Sequence, residues 1–307
     1  MFTAVPYRSN PLAVVLDAEG LDAAAMQRFA RWTNLSETTF LLPPTDSQAD
    51  YRVRIFTPER ELAFAGHPTL GSCHAWLAAG GQPRSPGRIV QQCENGLVPI
   101  RRDGDRLAFA APPMERSAPS PSLLARIAAA LKLHPRQVLA ARSLDNGTVW
   151  MGLLLDEVDS VLALAPDHRA LKALGHKIGV AAIPARASDS ALIGRSNREA
   201  RAFTAGMRNA IAVGAAVDAD TPVGLEVRAF ASCIGVEEDP VTGSLNASLA
   251  QWLIEDGHMP ERYVAGQGQC LGRDGRVHLS RDVDRDGGSQ VWVGGDAVTC
   301  IDGRVTL

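Results

Sequence analysis

Short β-rich runs bounded by turn residues follow one another along this chain, with only a few amphipathic helical stretches between them. That alternation excludes a helical bundle and a pure β-sandwich and predicts class α+β. Residues 12–16 read as a strand, and residues 22–32 as a helix that gathers Met26, Phe29, Ala30 and Trp32 on one face. Strands are expected next at 39–42 and 51–56, the second alternating Tyr51, Val53 and Ile55 with Arg52 and Arg54. Later come strands at 149–155 and 224–231, a helix at 167–174, and an Ala- and Arg-rich stretch at 183–220 without a readable pattern. Residues 290–307 carry two short strand signals split by a turn at Asp302 and Gly303.

Proline and serine concentrate at 112–122 (PPMERSAPSPS), where Ser120 and Pro121 supply an N-cap and first-turn proline for a helix at 123–133. A domain boundary is expected there, giving lobes of residues 1–114 and 115–307, with the last strand able to return to the first lobe. At 307 residues and 46% hydrophobic content, the chain can bury a substantial core, and its length fits one large or two ordinary domains.

Basic and acidic residues nearly cancel, leaving a formal charge of −3. No electrostatic footprint for nucleic acid or an acidic membrane is present, so the expected partner is a small molecule. The cysteines, Cys73, Cys93, Cys233, Cys270 and Cys300, are scattered without zinc-site or disulfide-scaffold spacing, which suits a reducing cytoplasm. Neither an export signal nor an apolar run long enough to span a membrane is visible.

One internal echo bears on function. AGHPTLGS and DPVTGS share a proline, two spacers, then Gly and Ser: Pro68, Gly71, Ser72 against Pro240, Gly243, Ser244, each followed by an apolar helical stretch. A Gly-Ser step at a helix start leaves backbone N–H groups that favour an anion, although serine there serves equally as a plain N-cap. His67 and Asp239 occupy comparable loop positions beside these steps. They read either as a substrate-handling pair, with His67 a donor or proton carrier, or as local turn residues. Glu37, in NLSETTF between a helix and a strand, reads as a general acid/base if buried and as a solvated surface residue if not. His67 and His74 lack a third metal ligand at helical spacing, and GRDGR and DRDGG are polar turns rather than phosphate loops. No metal and no organic cofactor are expected.

Taken in order, SNPLAVVLDA, NLSETTF, RIFTP, ELAFAGHPTLGS, PDHRAL and GVEEDPVTGS resemble the PhzF-like family of phenazine-biosynthesis isomerases, from residue 9 to residue 244. The resemblance implies a diaminopimelate-epimerase-like fold: two similar lobes, each a mixed β-sheet wrapped around a central helix, with the active site between them. It also implies a homodimer. By position, Glu37 is the implied proton shuttle, and His67, Asp239 and Ser244 position the substrate and assist its protonation. Gly66, Gly71, Ser72, Thr242 and Gly243 are expected to bind it at the two helix starts.

The chain departs from the family pattern at Ser9, which precedes Asn10 and Pro11 where glycine is usual, and at Ser232 and Cys233, where a proline often follows the strand. The two cysteines of sister epimerases correspond to Ala65 and Pro240, so two-thiol racemisation is not expected. The implied activity is a cofactor-independent isomerisation of a small anionic metabolite. A non-catalytic metabolite-binding protein and a racemase with non-cysteine bases remain the alternatives.

Overall fold

The computed structural model describes residues 1–104, 106–185, 222–283 and 288–307. The first part of the chain forms β1 (Ala13–Val15), α1 (Ala23–Thr33), β2 (Thr38–Leu42), β3 (Tyr51–Phe56), β4 (Glu61–Leu62), α2 (Gly66–Ala78), β5 (Arg88–Cys93), β6 (Gly96–Asp103) and β7 (Arg106–Ala110). The second part forms β8 (Glu115–Ser117), α3 (Pro121–Leu131), β9 (Val138–Asp145), β10 (Val149–Leu155), α4 (Val158–Leu162), α5 (His168–Leu174) and β11 (Lys177–Ala182). It continues with β12 (Val223–Ala231), β13 (Val236–Asp239), α6 (Gly243–Glu255), β14 (Arg262–Gln267), β15 (Gly275–Val283) and β16 (Ser289–Gly295).

Local chemistry sets these limits. Asp22 caps α1 by accepting from the Ala25 N–H at 2.7 Å, and Asn34 ends it in the left-handed region that asparagine tolerates. Ser120 caps α3 through the Leu123 N–H. That helix therefore begins at Pro121 and stops at Leu131, two residues earlier at each end than the sequence pattern placed it. In β3 the alternation holds, with Tyr51, Val53 and Ile55 buried.

The fold is α+β around a mixed sheet, and its topology is a duplication. In the first half β3 and β5 are parallel, α2 crosses between them, and β4 adds an antiparallel finger to β3. In the second half β12 and β14 are parallel, α6 crosses between them, and β13 adds the same finger to β12. The flanking pairs match as well: β1 with β2 and β10 with β11 are parallel, and β2 with β3 and β11 with β12 are antiparallel. Antiparallel β7 and β16 join the halves, from Leu107 opposite Gly295 to Ala110 opposite Trp292.

Helices α2 and α6 lack the one-sided apolar stripe of a surface helix. Gly66 to Cys73 are all buried in α2, and ten residues of α6 are buried. A helix apolar all round must be enclosed, and each half of the sheet curls around one of these two. Small residues allow the close fit: a Cβ on Gly71 would stand 2.4 Å from the Leu12 side chain.

Two expectations are corrected. The final run holds one strand, not two, because β16 already has β15 and β7 on its two sides. Residues 296–307 form no strand, and Ile301 is 88% exposed. Helix α2 starts at Gly66, so Gly71 and Ser72 lie in its second turn instead of at its start. The patternless stretch at 183–220 falls outside the described residues from 186 onward. Among the described residues no helix is long and apolar enough to cross a membrane.

Candidate active site

The two central helices meet start to start. A Cβ on Gly243 would lie 3.1 Å from the Gly66 Cα, and one on Gly66 equally close to the Gly243 Cα. Only glycine permits that approach. The structural counterpart of Gly243 and Ser244 is therefore Gly66 and His67, a register five residues away from the Pro-Gly-Ser echo. By the same register Ala65 pairs with Thr242, not with Pro240.

Neither helix start is capped by a side chain. Thr242 stands at the N-cap position of α6 but donates its hydroxyl to Asp239 Oδ2 at 2.7 Å. The first-turn N–H groups of both helices therefore carry their partial positive charge to one place.

That place opens into a cleft of about 930 Å³ between the halves, lined by Glu37, Gly66, His67, Asp239, Thr242, Gly243 and Ser244. Gly71 and Ser72 do not line it. Ser72 is fully buried and donates to Thr39 Oγ1 at 2.9 Å, an internal tie between α2 and β2. Their assignment as substrate-binding residues is corrected, because the helix begins one and a half turns before them.

Glu37 sits on the loop between α1 and β2. Its Oε2 is 3.2 Å from His67 Nε2, and neither atom has a hydrogen-bond partner among the described residues. Burial, then the nearby charge of Asp239, raise the Glu37 pKa from 4.5 to about 7. Burial, then the positive Met1 amino group, lower that of His67 from 6.5 to about 3. His67 is consequently a neutral imidazole and not the proton carrier its type suggested.

The Pro11 carbonyl favours a proton on the ring, and since Nε2 faces Glu37, that proton belongs on Nδ1. Nε2 then offers a lone pair toward the carboxyl. A protonated Glu37 can donate to it, whereas an ionised Glu37 meets no donor there.

Asp239, at the end of β13, is pushed by burial from 3.8 to about 6, with Thr242 and Asn10 opposing the rise. Asn10 ties the loops of the cleft together. Its Nδ2 donates to Asp239 Oδ1 at 2.8 Å and to the Val241 carbonyl, and its Oδ1 accepts from Ser36 at 3.2 Å. Gln267 pins the same turn from below. Its Oε1 accepts from the Thr242 N–H and from Asn246, and its Nε2 donates to the Asp239 carbonyl and to Thr242 Oγ1.

Ser244 Oγ accepts from Trp150 Nε1 at 3.1 Å, which leaves its own proton for a ligand. Asn146 donates to the Ser244 carbonyl while its buried Oδ1 has no partner. Sequence reasoning assigned no role to Asn10, Ser36, Asn146, Trp150, Lys177 or Gln267. The Asn146-Gly147 step is a recognisable hairpin signal, and Asn10 lay in the SNP motif. Lys177 and Gln267 belong to no motif and reach the site through sheet register.

Among the described residues no group of His, Cys, Asp and Glu side chains stands together as a metal cluster. His67 packs on Glu37 whereas His74 bonds Thr299.

The architecture and this cleft define a class, the two-lobed α+β isomerases, and comparison with known proteins agrees. The family model described as phenazine biosynthesis-like protein matches residues 1–303. Antisense-enhancing sequence 1 of Schizosaccharomyces pombe is 32% identical over 99% of this chain and 96% of its own length. Trans-2,3-dihydro-3-hydroxyanthranilate isomerase of Pseudomonas aeruginosa is 31% identical over 100% of this chain and 97% of its own. A Bacillus anthracis phenazine biosynthesis protein of the PhzF family superposes with a TM-score of 0.75 at 21% identity, covering 96% of this chain and 92% of that one. The chain belongs to the PhzF, or phenazine biosynthesis-like, family of isomerases.

Proposed function

We propose that this protein isomerises a small carboxylate-bearing metabolite by moving a proton from one carbon to another, with Glu37 as the only proton carrier and without metal or organic cofactor. The observation that carries the reading is a buried glutamate with a pKa near 7, facing a neutral imidazole at 3.2 Å inside the inter-lobe cleft. A carboxyl poised near the working pH serves as base and then as acid, a role typically contributing ~10²–10⁴-fold in rate. The relative named for isomerising trans-2,3-dihydro-3-hydroxyanthranilate supports the reaction class.

The substrate carboxylate rests on the helix-start N–H groups at Gly66, His67, Gly243 and Ser244. Ionised Glu37 takes a proton from carbon, and the C–H electron pair moves into the adjoining conjugated system. Ser244 and the helix N–H groups hold the negative charge that develops. Protonated Glu37, steadied by His67 Nε2, returns the proton to another carbon on the same face, and the electron pair closes the new C–H bond. Asp239, held by Asn10 and Thr242, fixes a substrate amine or hydroxyl. The division at residues 114 and 115, the homodimer implied by the family resemblance and a cytoplasmic setting belong to the same proposal.

The test is turnover of cyclic and conjugated carboxylates in heavy water. Glu37→Gln should bind the substrate yet lose turnover by several orders of magnitude. In the wild type kcat/KM should rise with pH through about 7 as Glu37 ionises. Near-normal turnover by pure Glu37→Gln would exclude this mechanism, and inversion at a single stereocentre without a shift of hydrogen would identify a racemase instead.

A further inference from the structure

Two cations in the cleft have no role in the proton transfer. Lys177 opens β11 in the second half, and Arg60 occupies the β3–β4 turn in the first; both line the same cleft. Lys177 is half-buried. Its Nζ donates to Thr148 Oγ1 at 2.7 Å and lies 5.5 Å from the centre of the Trp150 ring, so side chains from the β9–β10 hairpin hold it in place. One of its three N–H donors is thereby used, and among the described residues no carboxylate forms an ion pair with it. Arg60 is exposed, and its guanidinium likewise has no ion-pair partner among the described residues.

Among the described residues no acid is close enough to pair with either group. Glu37 and Asp239 are both driven toward their uncharged forms by burial. Glu61 is engaged by Arg54 through two bonds of 2.7 Å. Glu59 is exposed beside Arg60 on the turn. Burial lowers the Lys177 pKa and the charge of Arg60 adds to that, whereas Cys233, Asp239 and Glu37 oppose it. A half-buried ammonium that shares a cleft with a guanidinium is favoured when an anion binds between them, and unpaired charges of this kind gather at functional sites.

We infer that the cleft takes a dianionic substrate whose second acidic group sits between Lys177 and Arg60, while its first carboxylate occupies the uncapped helix starts. The inference rests on the proton-transfer reading, because it assigns the helix starts to that first carboxylate. The substrate class is then a small dicarboxylate, or a carboxylate bearing another acidic group, with a polar N–H or O–H able to reach the unpartnered Asn146 Oδ1.

Calorimetry with matched acids tests it: benzoate against isophthalate, and butyrate against glutarate and adipate, the series covering several spans between the charges. At least one diacid should bind roughly tenfold more tightly than its monoacid, as charge-assisted hydrogen bonds to a second group provide. In Lys177→Gln that ratio should fall close to one, Lys177→Arg should restore most of it, and Arg60→Gln should reduce it by a smaller factor because Arg60 is exposed. Diacids binding no better than monoacids, or an advantage that survives the Lys177→Gln/Arg60→Gln double variant, would overturn the second subsite and leave the helix-start carboxylate site standing. Failure of every acid to bind the wild type would remove both, and would count against the isomerase reading as well.

Discussion

Glu37 sits in an environment far from the solvated one its type leads one to expect, and the departure has a sign that can be measured. Its pKa is raised in the fold from 4.5 to about 7, so the native protein binds this proton more tightly than the unfolded chain does. The stability it contributes is present below about pH 4.5 and is lost as the pH rises through 7. Glu37→Gln abolishes the titration. Its melting temperature should exceed that of the wild type at pH 8 and match it near pH 4, the difference at high pH being on the order of 3 kcal/mol. A variant no more stable at pH 8 than at pH 4, relative to wild type, would show that the carboxylate is not desolvated. Ser244 makes a separate prediction. Because Trp150 occupies its acceptor site, its hydroxyl proton points to a ligand, and Ser244→Ala should lower kcat by ~3 kcal/mol in barrier with little change in KM. A change confined to KM would place Ser244 in ground-state binding alone.

At the scale of elements, the pairing of β12 with β13 decides where Asp239 stands. Arg228 on β12 grips Glu238 on β13 through bonds of 2.9 and 2.8 Å, and its remaining amino group reaches the Val161 and Leu164 carbonyls. The side chains are only 7% and 9% exposed. Removing one member of such a pair leaves a buried, uncompensated charge, so Arg228→Met should cost about 3–5 kcal/mol in chemical denaturation. The Arg228→Met/Glu238→Gln double variant should recover a large part of that. If the double variant is no more stable than the single one, the loss came from the carbonyl contacts of Arg228 and not from the stranded carboxylate.

For the whole molecule, the question is whether the two halves unfold together. They share the β7–β16 ladder, and one apolar cluster runs from Tyr51, Ile55, Leu70 and Phe109 in the first half to Leu225, Leu245, Trp252 and Val293 in the second. A continuous core and a continuous sheet imply one cooperative transition. Urea unfolding followed by tryptophan fluorescence and by far-ultraviolet circular dichroism should give coincident curves. Two separated midpoints would mean that the seam is weaker than the lobes it joins.

Most strands and helices were legible because their information is local. The alternation in Tyr51–Phe56, the Ser120 cap and the Asp22 cap act within a few residues, and the structure shows each of them. The motifs around Glu37, His67, Asp239 and Ser244 were legible as chemistry, and all four side chains line one cleft. Tertiary structure decided three things that local pattern does not encode. The register of the duplication came from the backbone approach of Gly66 to Gly243, not from the repeated Pro-Gly-Ser letters, and so it displaced Gly71 and Ser72 from the site. The protonation of His67 and Glu37 came from desolvation, which depends on how much chain packs over each group. Lys177, Asn10 and Gln267 joined the site through strand order and long-range hydrogen bonds. Sequence alone determined which elements form and which residue types can handle a proton, because those properties belong to single residues and their neighbours. Only the fold decided which of them share a cleft and in what charge state, because burial and register are properties of the packed chain.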